Sequence, residues 1–388
     1  MICWATHLTT NIIMKTKLVL PVIVAGIAQA ELSPLSDYVT PYVDGRYRYE
    51  DRSQNGTLNT RTLSFQAGAK IDAEWGFGGL VEYEVVHNFE EIGNLDPDVS
   101  DFNQYYVSYN AYDTTIKYGR QQINLGAFPD EGGQAIVGGV AWRQNEQTFD
   151  AVSIKSTYFD DFTIFASYSD QANIIFADTN EDAVNHEGEF VFVNVDYTGF
   201  DFPITAYYVD NSYESGPLLN GTPIEDLRDG NTFGLHTKIG GLYLEGAVQN
   251  GDEYAHIAYS TKVGKHSLRA GLEQLNGGFS TPFSTAHKFG GWADAILGQR
   301  VNGTGNGTSD FYLKYATKLP FGVVFKAHGH YFTDDTYSQT VGSELDLLLV
   351  KQITAGVKGI FKFADFDGAG SAPLADREIY TAEINFSF

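Results

Sequence analysis

The sequence is poor in cysteine and in basic residues, and it has no long apolar run after its N-terminus. Cys3 is the single cysteine, and it lies in a segment that we predict to be removed. The mature chain is therefore expected to have no disulfide and no cysteine-ligated metal. Acidic residues outnumber basic ones 49 to 25, which argues against a nucleic-acid partner. The absence of 18 successive apolar residues argues against a transmembrane helix.

The N-terminus has the pattern of a secretory signal. Met14, Lys15 and Lys17 precede the apolar run LVLPVIVAGIA, which closes on the small-residue motif AQA. This order is typical of an exported protein, although a buried first element is an alternative. We predict that residues 1–30 are an upstream extension plus a cleaved signal peptide, and that residues 31–388 are the mature domain. Loss of the two lysines leaves 23 basic against 49 acidic residues, a formal charge of −26.

Aromatic residues and glycine are abundant, with 24 Tyr, 27 Phe and 41 Gly. In the closing stretch TAEINFSF, apolar and polar residues alternate, which is the period of a strand with one apolar face. The same period recurs along the chain, and no helical period competes with it. The eighteen segments are 42–49, 62–71, 79–86, 104–110, 114–120, 150–156, 162–169, 189–197, 204–209, 232–239, 242–249, 254–260, 267–274, 310–316, 323–332, 343–350, 353–363 and 377–388.

The connections between these segments fall into two classes. Short turns are predicted near 72–78, 110–113, 158–161, 198–202, 239–241, 263–265, 318–321 and 350–352. Longer connections alternate with them at 88–102, 121–147, 170–188, 211–230, 276–309 and 364–376, with short exceptions at 51–56 and 250–252. Sorting of this kind predicts an all-β protein, a transmembrane antiparallel β-barrel of about 18 strands with short periplasmic turns and long extracellular loops.

In such a barrel, the apolar row of each strand faces lipid and the polar row lines the lumen. The predicted inward basic residues are Arg46, Arg48, Lys70, Lys117, Lys155, Lys238, Arg269, Lys314, Lys326, Lys358 and Lys362. The predicted inward acids are Asp44, Glu82, Glu84, Asp196, Glu245, Glu273, Glu344, Asp346 and Glu383. A wall with eleven basic and nine acidic residues favours anions in a narrow pore; alternatively, the charges pair across strands and fill the wall.

Two histidines, His328 and His330, are two residues apart on one predicted strand and point the same way. Paired histidines can hold a metal, but no nearby cysteine completes a site. We therefore predict hydrated pore histidines, no metal and no cofactor. The acidic loop segment 178–189 is expected to be solvated, with a divalent-cation site as the alternative.

Part of the third long loop, VGGVAWRQNEQTFDAV (137–152), resembles a stretch of the alginate-export family of outer-membrane porins. HKFGGWADAIL (287–297) and, more weakly, GSELDL (342–347) resemble the same family. The resemblance implies an 18-stranded, monomeric barrel that passes an anionic uronate polysaccharide through an arginine-lined pore. This chain departs from that pattern, because its predicted wall is rich in lysine and mixed in charge.

Loop 121–147, with the strand residue just before it, holds the predicted pore constriction. Its candidate substrate-binding residues are Arg120, Trp142, Arg143, Gln144, Asn145 and Glu146. Guanidinium groups bind carboxylates, amides bind hydroxyls, and Trp142 with Trp292 could stack on sugar rings. The alternative is that Arg143 pairs with Glu146 while Trp142 wedges the loop against the wall.

These observations predict a porin in the outer membrane of a Gram-negative bacterium, for passive diffusion of small hydrophilic solutes, including anionic or uronate-type saccharides. The expected partners are outer-membrane lipid, lipopolysaccharide and, through the terminal Phe388, the barrel assembly machinery. A monomer is favoured over the alternative of a general trimeric 16-stranded porin. A structural barrel is a further alternative, and so is a barrel enzyme. No catalytic residue is predicted, because the chain has neither a G-x-S-x-G nor an H-E-x-x-H motif.

Overall fold

The computed structural model describes most of the chain from residue 37 onwards. The described residues are 37–54, 56–90, 96–125, 136–139, 142–175, 185–214, 218–219, 222–284, 287, 289–303, 305–370 and 374–388. The predicted signal peptide and the boundary at residue 31 lie outside these residues, as does most of the acidic segment 178–189.

Eighteen strands follow one another along the chain, and each of the predicted segments corresponds to one of them. The strands are β1 (Val39–Ser53), β2 (Thr57–Asp72), β3 (Phe77–Asn88), β4 (Val99–Ala111), β5 (Thr114–Gln121), β6 (Thr148–Ser156), β7 (Phe162–Asn173), β8 (His186–Tyr197), β9 (Ile204–Tyr213), β10 (Gly230–Ile239), β11 (Leu242–Gln249), β12 (Asp252–Val263), β13 (His266–Leu275), β14 (Thr308–Lys318), β15 (Val323–Thr333), β16 (Thr340–Thr354), β17 (Val357–Gly368) and β18 (Arg377–Ser387).

The strands form one closed antiparallel sheet. Each strand pairs with its sequence neighbours, and β1 pairs both with β2 and with β18, where Asp44 lies opposite Ser387. The backbone N–H groups of Val43 and Phe388 each donate to the carbonyl of the other at 2.9 Å. Closure pairs the strand backbones all round the barrel, and the predicted antiparallel barrel of 18 strands is confirmed.

The connections at the end that holds the C-terminus are all short. They cover residues 73–76, 112–113, 157–161, 198–203, 240–241, 264–265, 319–322 and 355–356. The turn predicted at 350–352 is wrong, because β16 continues to Thr354 and the hairpin closes on residues 355–356, with Gly356 at φ 73°. The other end carries the long loops, the longest being 122–147 and 276–307.

The loops contain little regular structure. A two-stranded ribbon pairs Leu218–Leu219 with Thr222–Pro223, and it leads into the short helix α1 (Ile224–Arg228). A second short helix, α2 (Leu297–Asn302), lies in loop 276–307. Among the described residues, no helix is long and apolar enough to cross a membrane.

The two faces of the wall differ as the alternation predicts. On the outside, apolar side chains such as Val107 and Leu313 are 64% and 57% exposed. On the inside, charged side chains such as Arg48 and Asp346 are buried. Since buried charge faces the interior and apolar surface faces outwards, the outer surface is matched to hydrocarbon rather than to water.

Aromatic side chains mark the short-turn end of the barrel. Trp75, Tyr112 and Phe321 each lie in a turn, each has a positive φ, and each is at least 85% exposed. Rings at this level belong to the interfacial girdle of a transmembrane barrel, where their amphipathic character suits the headgroup region.

Leu313→Arg tests the direction of the outer face. An arginine there would meet hydrocarbon, so we expect the folded barrel to lose about 2–4 kcal/mol of stability in lipid. Denaturant unfolding in bilayers measures this loss. Lys314→Arg, which places an arginine at the adjacent inward position, is the matched control and is expected to fold like the wild type. Equal stability of the two variants would contradict the assignment of the faces.

Candidate functional site

Two long loops fold into the barrel and meet there. Val137 of loop 122–147 forms a parallel bridge with Phe283 of loop 276–307. The ring of Phe283 packs against the inward Phe149 and Phe190, with centroid separations of 5.3 and 5.2 Å. This apolar core fills one side of the lumen and fixes both loops to strands β6 to β8.

Loop 276–307 has a second attachment on the wall. Arg300 of α2 donates two hydrogen bonds to the carboxylate of Glu273 on β13, at 2.7 and 2.8 Å. Both side chains are 2% exposed. The bidentate pair in a buried setting holds the loop in one orientation.

Residues 142–144 of loop 122–147 dock on β1 and β2. A guanidinium nitrogen of Arg46 donates to the carbonyl of Arg143 at 2.8 Å, and Arg48 donates to the carbonyl of Trp142 at 2.5 Å. The amide of Gln144 donates to the hydroxyl of Thr62 at 2.8 Å. Two of the predicted pore-lining arginines thus hold the loop by its backbone.

Arg143 lies at the centre of this contact. Its guanidinium is 3.3 Å from both carboxylate oxygens of Glu50 on β1 and 3.7 Å from Asp294 of the other loop. Asp294 also lies 2.6 Å from His287 and 3.6 Å from Arg52. The alternative pairing of Arg143 with Glu146 is therefore not the one formed.

The charges around Asp294 set its ionisation. Burial alone would raise the pKa of this carboxyl, but His287, Arg143 and Arg52 outweigh burial and hold the pKa below its ordinary value. Asp294 thus stays an anion that joins two loops and one strand.

Trp142 is enclosed by other side chains. Its ring stacks on His287 with centroids 4.9 Å apart, Lys362 lies 3.9 Å from its centroid, and Trp292 is 5.6 Å away. The ring wedges the loop against the wall, as the alternative reading predicted. Trp292 in turn packs edge-on against His328 at 5.0 Å.

We use the name constriction cluster for the charged groups that contact residues 142–144 or Asp294, together with their direct ion-pair partners. Its members are Arg46, Arg48, Arg52, Arg143, Lys362 and Arg377 with Glu50, Asp96, Asp294 and Glu383. Six basic groups less four acidic groups leave a formal charge of +2, although the whole chain is acidic. The basic excess therefore lies where residues 142–144 and Asp294 contact the wall.

Asn145 and Glu146 make their hydrogen bonds outside this cluster, although the Glu146 carboxyl lies within electrostatic range of Arg46. The amide of Asn145 donates to the carbonyl of Ile175 at 3.2 Å. Glu146 accepts hydrogen bonds from the amides of Gln122 and Asn103. Burial, and secondly the charge of Glu82, raise the pKa of Glu146 to about 7. The carboxyl therefore titrates near neutral pH.

Arg120 lies outside the constriction cluster and lines a small cavity with Asn145 and Glu146. Its guanidinium lies over the ring of Tyr105, 5.4 Å from the centroid, and pairs with Asp150 at 2.8 Å. Tyr105 is 43% exposed and shares its row with the outward Val107. Gly119, at φ 126°, immediately precedes Arg120 near the end of β5.

The remaining predicted basic residues are spread along the inner wall. Arg269 lies opposite Lys314, and Lys314 lies opposite His328 in the next pairing. Lys117 sits over the ring of Tyr106 at 4.5 Å. The other inward positions, all on the registers expected of them, are Lys155, Lys238, Lys326 and Lys358.

A polar cavity lies on the short-turn side of the docked loop. Its volume is about 360 Å³, and its lining includes Asp44, Arg46, Gln66, Gln144 and Lys358. It holds side chains of both charges together with amides, so it offers hydrogen-bond donors and acceptors to a hydrophilic solute.

The sequence interpretation missed five members of the constriction cluster, which are Glu50, Arg52, Asp96, Asp294 and Arg377. Glu50 and Arg52 share the parity of Arg46 and Arg48, so extending the inward row of β1 would have found them. Arg377 lies at the start of β18, and its guanidinium donates to the carbonyl of Ala293 at 3.0 Å. Asp294 carried no signal of its own, because a loop has no alternation.

The fold and this geometry define the class of protein. A closed 18-stranded barrel with an apolar outer face and a charged interior is a β-barrel of the Gram-negative outer membrane. The predicted location is thereby confirmed, and 18 strands do not favour the 16-stranded trimeric alternative.

Comparison with solved structures gives the same class. The Pseudomonas aeruginosa outer membrane protein OpdK has a TM-score of 0.67 at 12% identity, over 91% of this chain and 99% of its own. OccD3 (OpdP) of the same organism has a TM-score of 0.65 at 12% identity, over 90% and 91%. OccK8 (OprE) has 0.64 at 14% identity, over 90% and 98%. At such identities the likeness establishes the fold alone.

No family model and no curated protein matches the sequence. The resemblance to alginate-export porins therefore stays a prediction.

The raised pKa of Glu146 predicts a pH-dependent stability. The group has a pKa of 4.5 when exposed and about 7 when folded. Its protonated form therefore stabilises the fold fully below pH 4.5, and this contribution is lost as the pH rises to 7. We expect the thermal unfolding midpoint in detergent to fall across this window. The Glu146→Gln variant cannot ionise at this position, so its unfolding midpoint should fall less. Identical pH profiles for the two proteins would contradict the raised pKa of Glu146.

Proposed function

We propose that the protein is a passive diffusion channel for small hydrophilic solutes, with a preference for anions such as uronate-type saccharides. The observation that supports this most directly is the +2 charge of the constriction cluster within an otherwise acidic chain. Fixed charge at the narrowest part of a pore dominates ion selectivity, because low-dielectric walls focus the field there.

The cavity on the short-turn side of the docked loop favours a hydrophilic permeant solute. Arg46 and Lys358 offer cationic donors, and Gln66 and Gln144 offer amides that can bind sugar hydroxyls. A carboxylate leaving this cavity towards the loops would approach the constriction cluster. Binding in such a pore needs to be favourable and weak, so that the solute also leaves.

The similar solved structures are compatible with an organic anion as the permeant solute. One structure of OpdK is a complex with vanillate, a carboxylate, and it shares the fold at a TM-score of 0.67 and 12% identity. The alginate-export resemblance points to the same chemical class. The wall away from the constriction cluster is rich in lysine, whereas five of the six basic groups in the cluster are arginines, which can bind a carboxylate bidentately.

A structural barrel closed by its own loops is the second candidate. It is favoured by the burial of Arg143 and Gln144, which are 5% and 2% exposed. Conductance separates the two functions, since a closed structural barrel carries no current. Enzymatic activity forms no part of the proposal.

The expected partners follow from the same assignment. We propose that the barrel is monomeric, sits among lipid and lipopolysaccharide, and is delivered to the assembly machinery through Phe388. This ring is 72% exposed beside the β1–β18 seam that closes the barrel. An exposed aromatic ring beside this seam is well placed for recognition by a partner.

Reversal potentials in planar bilayers test the proposed selectivity. In a salt gradient we expect the sign of an anion-selective pore, because the constriction cluster has the larger number of basic groups. Conductance should also fall on addition of uronate oligomers. A cation-selective current would contradict the proposal, and no current at all would favour the structural barrel.

Arg143→Ala tests the constriction. Removal of Arg143 takes one of several partners from Glu50 and Asp294, which keep Arg48, Arg52 and His287. We therefore expect a cost below the roughly 3–5 kcal/mol of a buried pair broken outright. The loop should loosen, conductance should rise, and block by uronate oligomers should weaken. Arg120→Ala removes a paired arginine outside the cluster and is the matched control, with conductance expected to stay unchanged. If the two variants behave alike, Arg143 does not belong to the constriction.

A further inference from the structure

Two histidines and a carboxylate meet on the inner wall between β15 and β16. His328 and His330 are neighbours on the inward face of β15, and Asp346 of β16 lies directly opposite His328. One ligand atom from each lies within 4.8 Å of the other two. The sequence favoured hydrated histidines because it offered no third ligand, and the strand register supplies one.

We propose that His328, His330 and Asp346 bind a divalent transition-metal ion of the Zn²⁺ type. Two imidazoles and one carboxylate are a donor set that suits zinc, with further positions open to water. With bonds of about 2.0–2.2 Å, tetrahedral ligands lie about 3.4 Å apart. His330 Nε2 is 3.7 Å from an oxygen of Asp346, so this pair is already close to that spacing.

The polar atoms of the site are poorly satisfied without an ion. Asp346 is fully buried, and neither of its carboxylate oxygens accepts a hydrogen bond of good geometry. The carboxyl of Glu344 and the backbone N–H of Trp292 are its polar neighbours. The Nδ1 atom of His328 is also buried without a hydrogen-bond partner. Buried groups in this state are costly, and an ion bound to one ligand atom of each residue would lower that cost.

A further carboxylate orients one of the ligands. Asp310 lies 2.8 Å from Nδ1 of His330, and both side chains are buried. An Nδ1–H that donates to Asp310 leaves the lone pair of Nε2 directed at Asp346. A carboxylate behind a histidine ligand is the usual arrangement in zinc sites, where it fixes the tautomer and the ring orientation.

The surrounding charges balance. Three carboxylates face the site, from Asp310, Glu344 and Asp346, and three basic groups face His328, from Arg269, Lys314 and Lys326. Metal affinity would therefore come from the ligand bonds rather than from an excess of negative charge.

The site adjoins the second inward loop. Trp292 packs against His328, and the backbone N–H of Ala293 donates to Glu344 at 2.7 Å. Gly291, at φ 83°, allows this approach, because a Cβ there would collide with the Glu344 carboxylate. A bound ion would add two positive charges to the wall beside the constriction cluster, whatever solute the pore carries.

Titration of the tagless, chelator-stripped protein in detergent with ZnCl₂ tests the site. Calorimetry should give one equivalent of saturable binding in the wild type. Asp346→Asn, which keeps the shape of the side chain, and His328→Gln, at a partly exposed position, should both abolish it. His236→Gln changes another inward histidine that lies outside the proposed metal site, and this variant should bind zinc like the wild type. Asp310→Asn, at a positioning residue, should weaken binding about 10–100-fold.

Two results would overturn the proposal. The first is no saturable zinc binding by the folded wild type, with folding checked by circular dichroism. The second is undiminished binding by whichever of Asp346→Asn and His328→Gln folds. Cobalt absorption spectra add a direct readout, since nitrogen and oxygen ligation in the wild type should give visible bands that the two variants lack. Because these measurements need no current, their failure would leave the proposed channel function untouched.

Discussion

In hydrocarbon, a backbone N–H or C=O without a partner costs several kcal/mol, and every other feature of this barrel depends on that cost. A single open edge in an 18-stranded sheet would leave a whole row of such groups exposed to lipid. The pairing of β1 with β18, from Asp44–Ser387 to Ser53–Glu378, removes that edge. Once the sheet is closed, the two-residue period of each strand assigns every side chain to lipid or to lumen.

Closure creates a second problem, which is the interior. A barrel of this circumference is too wide for wall side chains alone to fill, so two loops fold inwards. One side of the lumen becomes an apolar core around Phe283, and the other becomes the constriction cluster around Arg143. Burying so much charge is tolerable because the arginines are paired and also donate to loop carbonyls, as Arg46 and Arg48 do.

Loop 276–307 links the constriction cluster with the proposed metal site. The constriction cluster has its basic excess next to β1, β17 and β18, whereas the histidine and carboxylate cluster lies on β15 and β16. Loop residues 292–294 contact both, through Ala293 to Glu344 and through Asp294 to Arg143. Since this short, buried segment contacts both clusters, a change of charge at one cluster is expected to alter the electrostatic environment of the other.

The sequence by itself determined the barrel, its strand number and the face of each inward residue, because alternation is a local property that backbone geometry enforces. It also pointed to loop 121–147, through a resemblance. Only the tertiary structure decided the partners. Arg143 meets Glu50 and Asp294, Trp142 stacks on His287, Arg120 pairs with Asp150, and Asp346 joins His328. Strand register and the path of an inward loop bring together residues far apart in the chain, and no local pattern encodes such distances.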